Sequence, residues 1–169
     1  MSYICVACNQ EHSGPPLAWG PAAPDAWTQL AETERAERGE ISSDQCVIDD
    51  LRFFVLGRLE IPVVRSEDIF AWLVWVEVKP NDFFDISEKW NLLGRENTPP
   101  YDAALANQLG LYEGATSGLQ IRLHTRPIGD RPSIEVLGSH QLADEQKNGI
   151  TEARVQEIAH LLTHVSQKP

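Results

Sequence analysis

The sequence holds no apolar run of about 18 residues, so no segment of it reads as a helix able to cross a bilayer. Its first residues, Met1-Ser2-Tyr3-Ile4-Cys5, lack the basic region and the apolar stretch of a signal peptide. Cytoplasm is therefore the expected compartment, where thiols stay reduced. Only three cysteines are present, and in that setting they point to a metal site before a disulfide. There is no G-x-S-x-G, no P-loop and no dinucleotide fingerprint. No repeat and no low-complexity tract breaks the chain. His160 and His164 stand four apart, but no Glu follows His160, so the H-E-x-x-H metalloprotease pattern is missing and a solvated helix face is the plainer reading.

Positive charge is also scarce. Fourteen Lys and Arg face 25 Asp and Glu, a net charge of −11. Acid is concentrated between Asp25 and Asp50, against Arg35 and Arg38, and again between Glu60 and Glu88, against Arg65 and Lys79. Such a field repels nucleic acid and anionic lipid and attracts basic partners. Plain solubility is the simpler explanation of the same charge. What remains is an ordinary globular composition, 42% hydrophobic over 169 residues, enough to bury a core.

The pattern predicts one domain over 1–169, with an irregular, Pro- and Gly-rich lead-in over 1–23 and an α+β core over 24–165. Asp25 can cap a helix carrying Trp27, Leu30 and Ala31, with Gly39 as the stop after Arg38. Cys46-Val47-Ile48 and Phe53 to Leu56 read as strands around an Asp49-Asp50 turn. Leu59, Ile61 and Val63 alternate with polar residues, and Pro62 favours an edge or a bulge. Phe70 to Val76 is apolar on both faces and should be a covered central strand. A helix follows Pro80-Asn81-Asp82 through Phe83, Phe84, Ile86 and Trp90. Residues 94–118 read as a long connection, with a short helix near Ala103 to Leu109. Leu119, Ile121, Leu123 and Thr125 alternate with Gln120, Arg122, His124 and Arg126; Ile134 and Val136 mark a partner strand. Thr151 caps a last helix with Val155, Ile158, Ala159 and Leu162 on one stripe. Strands in the middle and helices at the ends predict a mainly antiparallel sheet with flanking helices.

The clearest chemical signal is Cys5-x-x-Cys8-x-x-x-His12. One tight turn lets such a pair of thiolates meet a metal, and Asn9 stands where that turn wants positive φ. With Cys46 as fourth ligand the set Cys5, Cys8, His12 and Cys46 would be a closed structural zinc site, tying the N-terminus to the sheet. Two alternatives stay open: Cys46 as a small core residue, and a redox C-x-x-C, which normally opens a helix after a strand. A second feature is Arg122, His124 and Arg126 on one strand face, with Arg131 after the turn. They can hold an anion or a partner's carboxylate, or form a cross-strand ladder with Glu135, which is the favoured reading. Asp44, Asp49 and Asp50 are candidates for acid–base work, and equally for turns and strand ends. The tryptophans read as core anchors.

Several segments together resemble a known family. They are Cys5-x-x-Cys8-x-x-x-His12, Leu17-Ala18-Trp19-Gly20, Ser43 through Asp49, Leu59-Glu60-Ile61-Pro62-Val63, Gly94 through Tyr101, His124-Thr125-Arg126-Pro127, Arg131-Pro132 and Gly149-Ile150-Thr151. The chain resembles the bacterial domain of unknown function 2199, departing from it at Asn9, where Gly is expected. The resemblance implies a bacterial, single-domain protein and brings no activity with it. The expectation for function is a non-enzymatic, zinc-stabilised acidic module for a basic protein partner, of the kind an immunity or antitoxin-like protein is, with no nucleic acid or membrane partner. The alternative is a metal-assisted hydrolase of an anionic substrate, using His124, Arg126 and Arg131 with Asp44 or Asp49 as base. A zinc sensor ranks last, because four protein ligands hold metal tightly.

Overall fold

The structure is a computed structural model that describes residues 2–4 and 9–165. In chain order it contains β1 (Ser2–Ile4), β2 (Glu11–Ser13), β3 (Ala18–Trp19), α1 (Asp25–Thr28), α2 (Glu32–Arg38), β4 (Gly39–Ile41) and β5 (Gln45–Ile48). Then come β6 (Arg52–Pro62), β7 (Ile69–Val78), α3 (Pro80–Glu88), β8 (Tyr101–Leu105), β9 (Gln120–His124), β10 (Ser133–Val136), α4 (Gln141–Asn148) and α5 (Glu152–Val165). Among the described residues, no helix is long and apolar enough to cross a membrane.

The two strands read between Phe53 and Val63 are one. β6 runs unbroken for 11 residues and pairs antiparallel with β7 from Phe53↔Val78 to Pro62↔Ile69. The period of two sorts its side chains. Val55, Leu59 and Ile61 belong to the main core with Phe70, Trp72, Val74 and Val76 of β7. Phe54 and Leu56 point the other way, into a second cluster with Cys46, Ile48, Trp75 and Ala106, over which Trp27 and Leu30 pack. That double coverage is why β7 is apolar on both faces. Each of these fully buried large side chains contributes roughly 1.5–3 kcal/mol over its exposed state.

The sheet closes, which the sequence pattern does not announce. β7 pairs with β8, β8 with β9 and β9 with β10, all antiparallel. β10 then returns to β6 in parallel at Ser133↔Arg58, completing a five-stranded barrel. β5 and β4 extend it from β6, and β3 adds in parallel to β7. Gly57 makes the closure possible. A Cβ there would lie 2.6 Å from Ile134 Cδ1, so a larger residue would force the Ile134 side chain of β10 to shift.

Two expectations are corrected. The segment near Ala103 to Leu109 is the strand β8 and a following loop, not a helix. Alanine is a strong helix former, but tertiary context overrides propensity, and here two strands with open edges, β7 and β9, take the segment between them, burying Tyr101, Ala103 and Leu105. Asp25 does not cap its helix; it lies in the first turn of α1 and its carboxylate accepts from Asn107 Nδ2 (3.1 Å) and Gln108 N (2.7 Å). Those bonds belong to a set that orders the 94–118 connection. Buried Asn107 accepts from Trp75 N and donates to Ala23 O, and Thr116 Oγ1 bonds both Asn107 O and Leu109 N. Tyr112 takes Trp72 Nε1 at 2.9 Å and donates to Glu145 at 2.7 Å. α4, unforeseen, packs on β6 and β10. Thr151 does cap α5, accepting Arg154 N at 3.1 Å, and Val155 and Ile158 of α5 enter the core.

Candidate functional site

Midway along β6 the outer face changes character, from Phe54 and Leu56 to Arg58 and Glu60. Around that charged stretch lies a cleft of about 620 Å³. Asp44 enters from the loop before β5. Trp90 and Arg95 come from the segment after α3, Leu73 from β7, and Arg126, Asp130 and Arg131 from the turn between β9 and β10. The sequence-predicted stripe is thereby split. β9 ends at His124, so Arg126 leaves the ladder and, with Arg131, joins the cleft. Arg122 stays opposite Glu135 and Asp102 in register, and His124 Nε2 lies 2.8 Å from Glu135 Oε2. The side-chain bond to Glu135 thus comes from His124, and Arg122 is its register partner; Arg126 and Arg131 lie off this ladder.

Arg95 builds the cleft and was missed in the sequence. It is 5% exposed and donates to four main-chain carbonyls. Nε reaches Arg126 O (2.7 Å), Nη1 reaches Trp90 O (2.7 Å), and Nη2 reaches Pro127 O (3.0 Å) and Asp130 O (2.9 Å). Its guanidinium also lies over the Trp90 ring, 5.4 Å from the centroid. A planar five-donor fork is the one side chain able to tie so many carbonyls at once. The only signal in the sequence is its place after Gly94, whose φ of +81° starts the short turn Arg95–Asn97.

Inside the cleft Arg58 Nε bonds Glu60 Oε1 at 2.7 Å, and Arg126 Nη1 bonds the same oxygen at 3.2 Å. Arg131 Nε bonds Asp44 Oδ1 at 2.7 Å, while Ser43 Oγ donates to Asp44 Oδ2 at 2.7 Å. Burial acts to raise the Asp44 carboxyl, but the bonds from Arg131 and Ser43 outweigh it and hold its pKa below the usual value. Asp49 lies elsewhere, bonded by Arg38 Nε and Nη2 at 2.9 and 2.6 Å, which also lowers its pKa.

That Asp49 pair borders a second region. A groove of about 790 Å³ runs between α2, β4, β5 and α3. Glu37, Glu40, Asp49 and Asp50 rim it, with Arg38. Its floor is aromatic: Phe53 and Phe83 lie 5.0 Å apart, and Phe84, 54% exposed, lies 5.5 and 5.9 Å from them. Asp49 and Asp50 both take positive φ in the hairpin turn, 55° and 52°, which presents them at the rim.

The predicted zinc set cannot be assembled here. Cys5 and Cys8 lie outside the described residues, as does the His12 side chain. Asn9 does adopt the left-handed φ expected of it, 52°. Cys46 is 1% exposed in the apolar second cluster, and desolvation raises its thiol pKa to about 11. That is the setting of a core thiol rather than of a ready thiolate. Among the described residues no three His, Cys, Asp or Glu side chains gather as a metal site.

No curated protein matches the chain, and no solved structure does. The family model that does match covers residues 4–150, from the first strand through the barrel and α4, and so includes every residue of both the cleft and the groove. The chain belongs to the family of uncharacterized proteins conserved in bacteria, DUF2199.

Proposed function

We propose that the protein is a binding module for a basic protein partner, and that the partner docks in the acidic groove. One observation carries the reading: an exposed Phe84 stands over an aromatic floor and is ringed by Glu37, Glu40, Asp49 and Asp50. Among the described residues Glu37, Glu40 and Asp50 make no ion pair, so their charge is free to meet another molecule. A basic segment with an apolar anchor complements this surface in both charge and shape. The acid rim steers it over roughly a Debye length, about 10 Å at 0.1 M salt, and the aromatic floor supplies burial. An immunity or antitoxin-like protein that covers a basic site is the concrete form of this proposal. The hydrolase reading has less support, since Asp44 and Asp49, its two candidate bases, are each engaged by an arginine.

Zinc at Cys5, Cys8, His12 and Cys46 is retained as part of the proposal on the strength of the C-x-x-C spacing and the conformation of Asn9. The apolar surroundings of Cys46 weigh against it as fourth ligand. A bound zinc would supply a cross-link only.

The test is capture from a bacterial lysate on immobilised wild type, on Phe84→Ser and on the double variant Glu40→Lys, Asp50→Lys. The expected result is a basic protein retained by wild type, released by salt and lost from both variants. Retention by all three alike, or by none, would contradict the proposal.

A further inference from the structure

We propose that the arginine-lined cleft is a separate site that binds the carboxylate of a small organic acid. Four of the ten arginines of this acidic chain line it, and no lysine does. Arginine is the side chain whose flat, forked donors match a carboxylate.

An alternative is that these arginines only neutralise their neighbours. The molecule itself provides the comparison. In three other arginines two nitrogens are engaged by carboxylates: Arg38 holds Asp49 and Arg52 holds Glu77 through Nε and Nη2, and Arg154 holds Glu145 through Nε and Glu157 through Nη1. In the cleft Arg58 and Arg131 each use Nε alone, on Glu60 and Asp44. Their terminal nitrogens have no hydrogen-bond partner among the described residues. Both remain about a third exposed, 34% and 39%. The internal carboxylates thus orient the two forks and leave their ends open, which is the pre-organisation a ligand site needs. Arg126 is held loosely as well, with Nη2 3.9 Å from Asp130.

The charge count selects the ligand class. Arg58, Arg95, Arg126 and Arg131 face Asp44, Glu60 and Asp130, a surplus of one positive charge. Buried Arg95 carries its charge against carbonyl oxygens only, so no carboxylate cancels it directly. A surplus of one suits a singly charged carboxylate. A phosphate dianion would leave the cleft with a net negative charge and would cost more to desolvate. Trp90 and Leu73 give the organic body of the ligand a surface beside the charged end.

Isothermal titration of the full chain with gluconate, benzoate and inorganic phosphate, in a low-chloride buffer, tests this. At least one of the two carboxylates should bind at one site. Arg58→Gln and Arg131→Gln should each weaken it about tenfold or more, as loss of a charge-assisted pair does. Arg131→Lys, which keeps the charge and the contact to Asp44 but not the fork, should fall between wild type and Arg131→Gln. Arg122→Gln, on the Glu135 ladder, should leave binding unchanged. Thermal unfolding of each variant separates lost binding from lost fold, and Arg131→Lys carries the test if a glutamine variant does not fold. The proposal is overturned if neither carboxylate binds up to about 10 mM, the weak end of specific affinities. It is equally overturned if phosphate binds more tightly than both, or if folded Arg58 and Arg131 variants bind like wild type.

Discussion

The groove and the cleft are opposites built from the same materials. In the groove, carboxylates outnumber a single arginine, and that arginine is engaged by Asp49 through two nitrogens and by Glu34 through the third. In the cleft, arginines outnumber carboxylates, and the guanidinium ends of Arg58 and Arg131 stay open. The chain's net charge of −11 describes the first region and misrepresents the second. The difference teaches that the group left unpaired, and not the overall balance, sets what a surface can bind.

The comparison breaks most severely at Arg95. Arg95→Ala should lower the unfolding free energy in urea by on the order of 3 kcal/mol, because four carbonyls lose a charged donor in a buried place. It should also abolish carboxylate binding while leaving the groove's partner in place. A loss under about 1 kcal/mol would mean that the 126–130 turn does not depend on it.

Cys46→Ser comes next. Placing a hydroxyl among Ile48, Phe54, Leu56 and Trp75 should cost about 1–3 kcal/mol. With its thiol pKa near 11, Cys46 of the folded protein should also resist alkylation at pH 8 and react only on unfolding, as mass spectrometry of labelled peptides would record. Elemental analysis of wild type and variant bears on zinc separately. Metal lost with Cys46→Ser would support the four-ligand set, and metal retained would remove Cys46 from it.

A smaller effect belongs to Asp44. Its pKa lies below the ordinary value in the folded state, so its contribution is present above the unfolded pKa of about 4 and is lost as pH falls through the folded one. Asp44→Asn should therefore destabilise the protein at pH 7, and the gap to wild type should close as pH falls through the lowered folded pKa. A gap that persists at low pH would assign Asp44 a packing role instead. Smallest of all is Phe84→Ser. At 54% exposure it should move stability by no more than about 0.5 kcal/mol, the range of ordinary surface changes, while removing partner binding.

Much of this was legible in the sequence, and the parts that were not share a cause. The period of two in Leu59-Glu60-Ile61 and Gln120 to His124, and the two-sided apolar run Phe70 to Val76, placed β6, β9 and β7 because burial of one face or both leaves a direct mark. Asp49-Asp50 read as a turn because those residue types tolerate positive φ. Barrel closure left no such mark. It rests on a single parallel register, Ser133↔Arg58, and on the space left by Gly57, both set by residues distant in the chain. β8 was hidden because its alanines are poor indicators of a strand until β7 and β9 flank them. Arg126 and Arg131 were singled out, but with Arg122 and His124, because spacing assigned Arg122, His124 and Arg126 to one face, with Arg131 after the turn, and could not foresee that β9 stops at His124. Arg95 was marked only by its place after Gly94; its role is visible only when four carbonyls from two segments converge on it.

The most direct test of the two-region account is one backbone-amide NMR titration of the full chain, first with gluconate and then with a short lysine-rich peptide carrying one phenylalanine. The account predicts two separate sets of shifted signals. Gluconate should move Arg58, Arg95 and the 126–131 turn, and the peptide should move residues 36–50 with Phe83 and Phe84. Shifts that fall on the same residues for both ligands, or a peptide that moves the cleft, would contradict it.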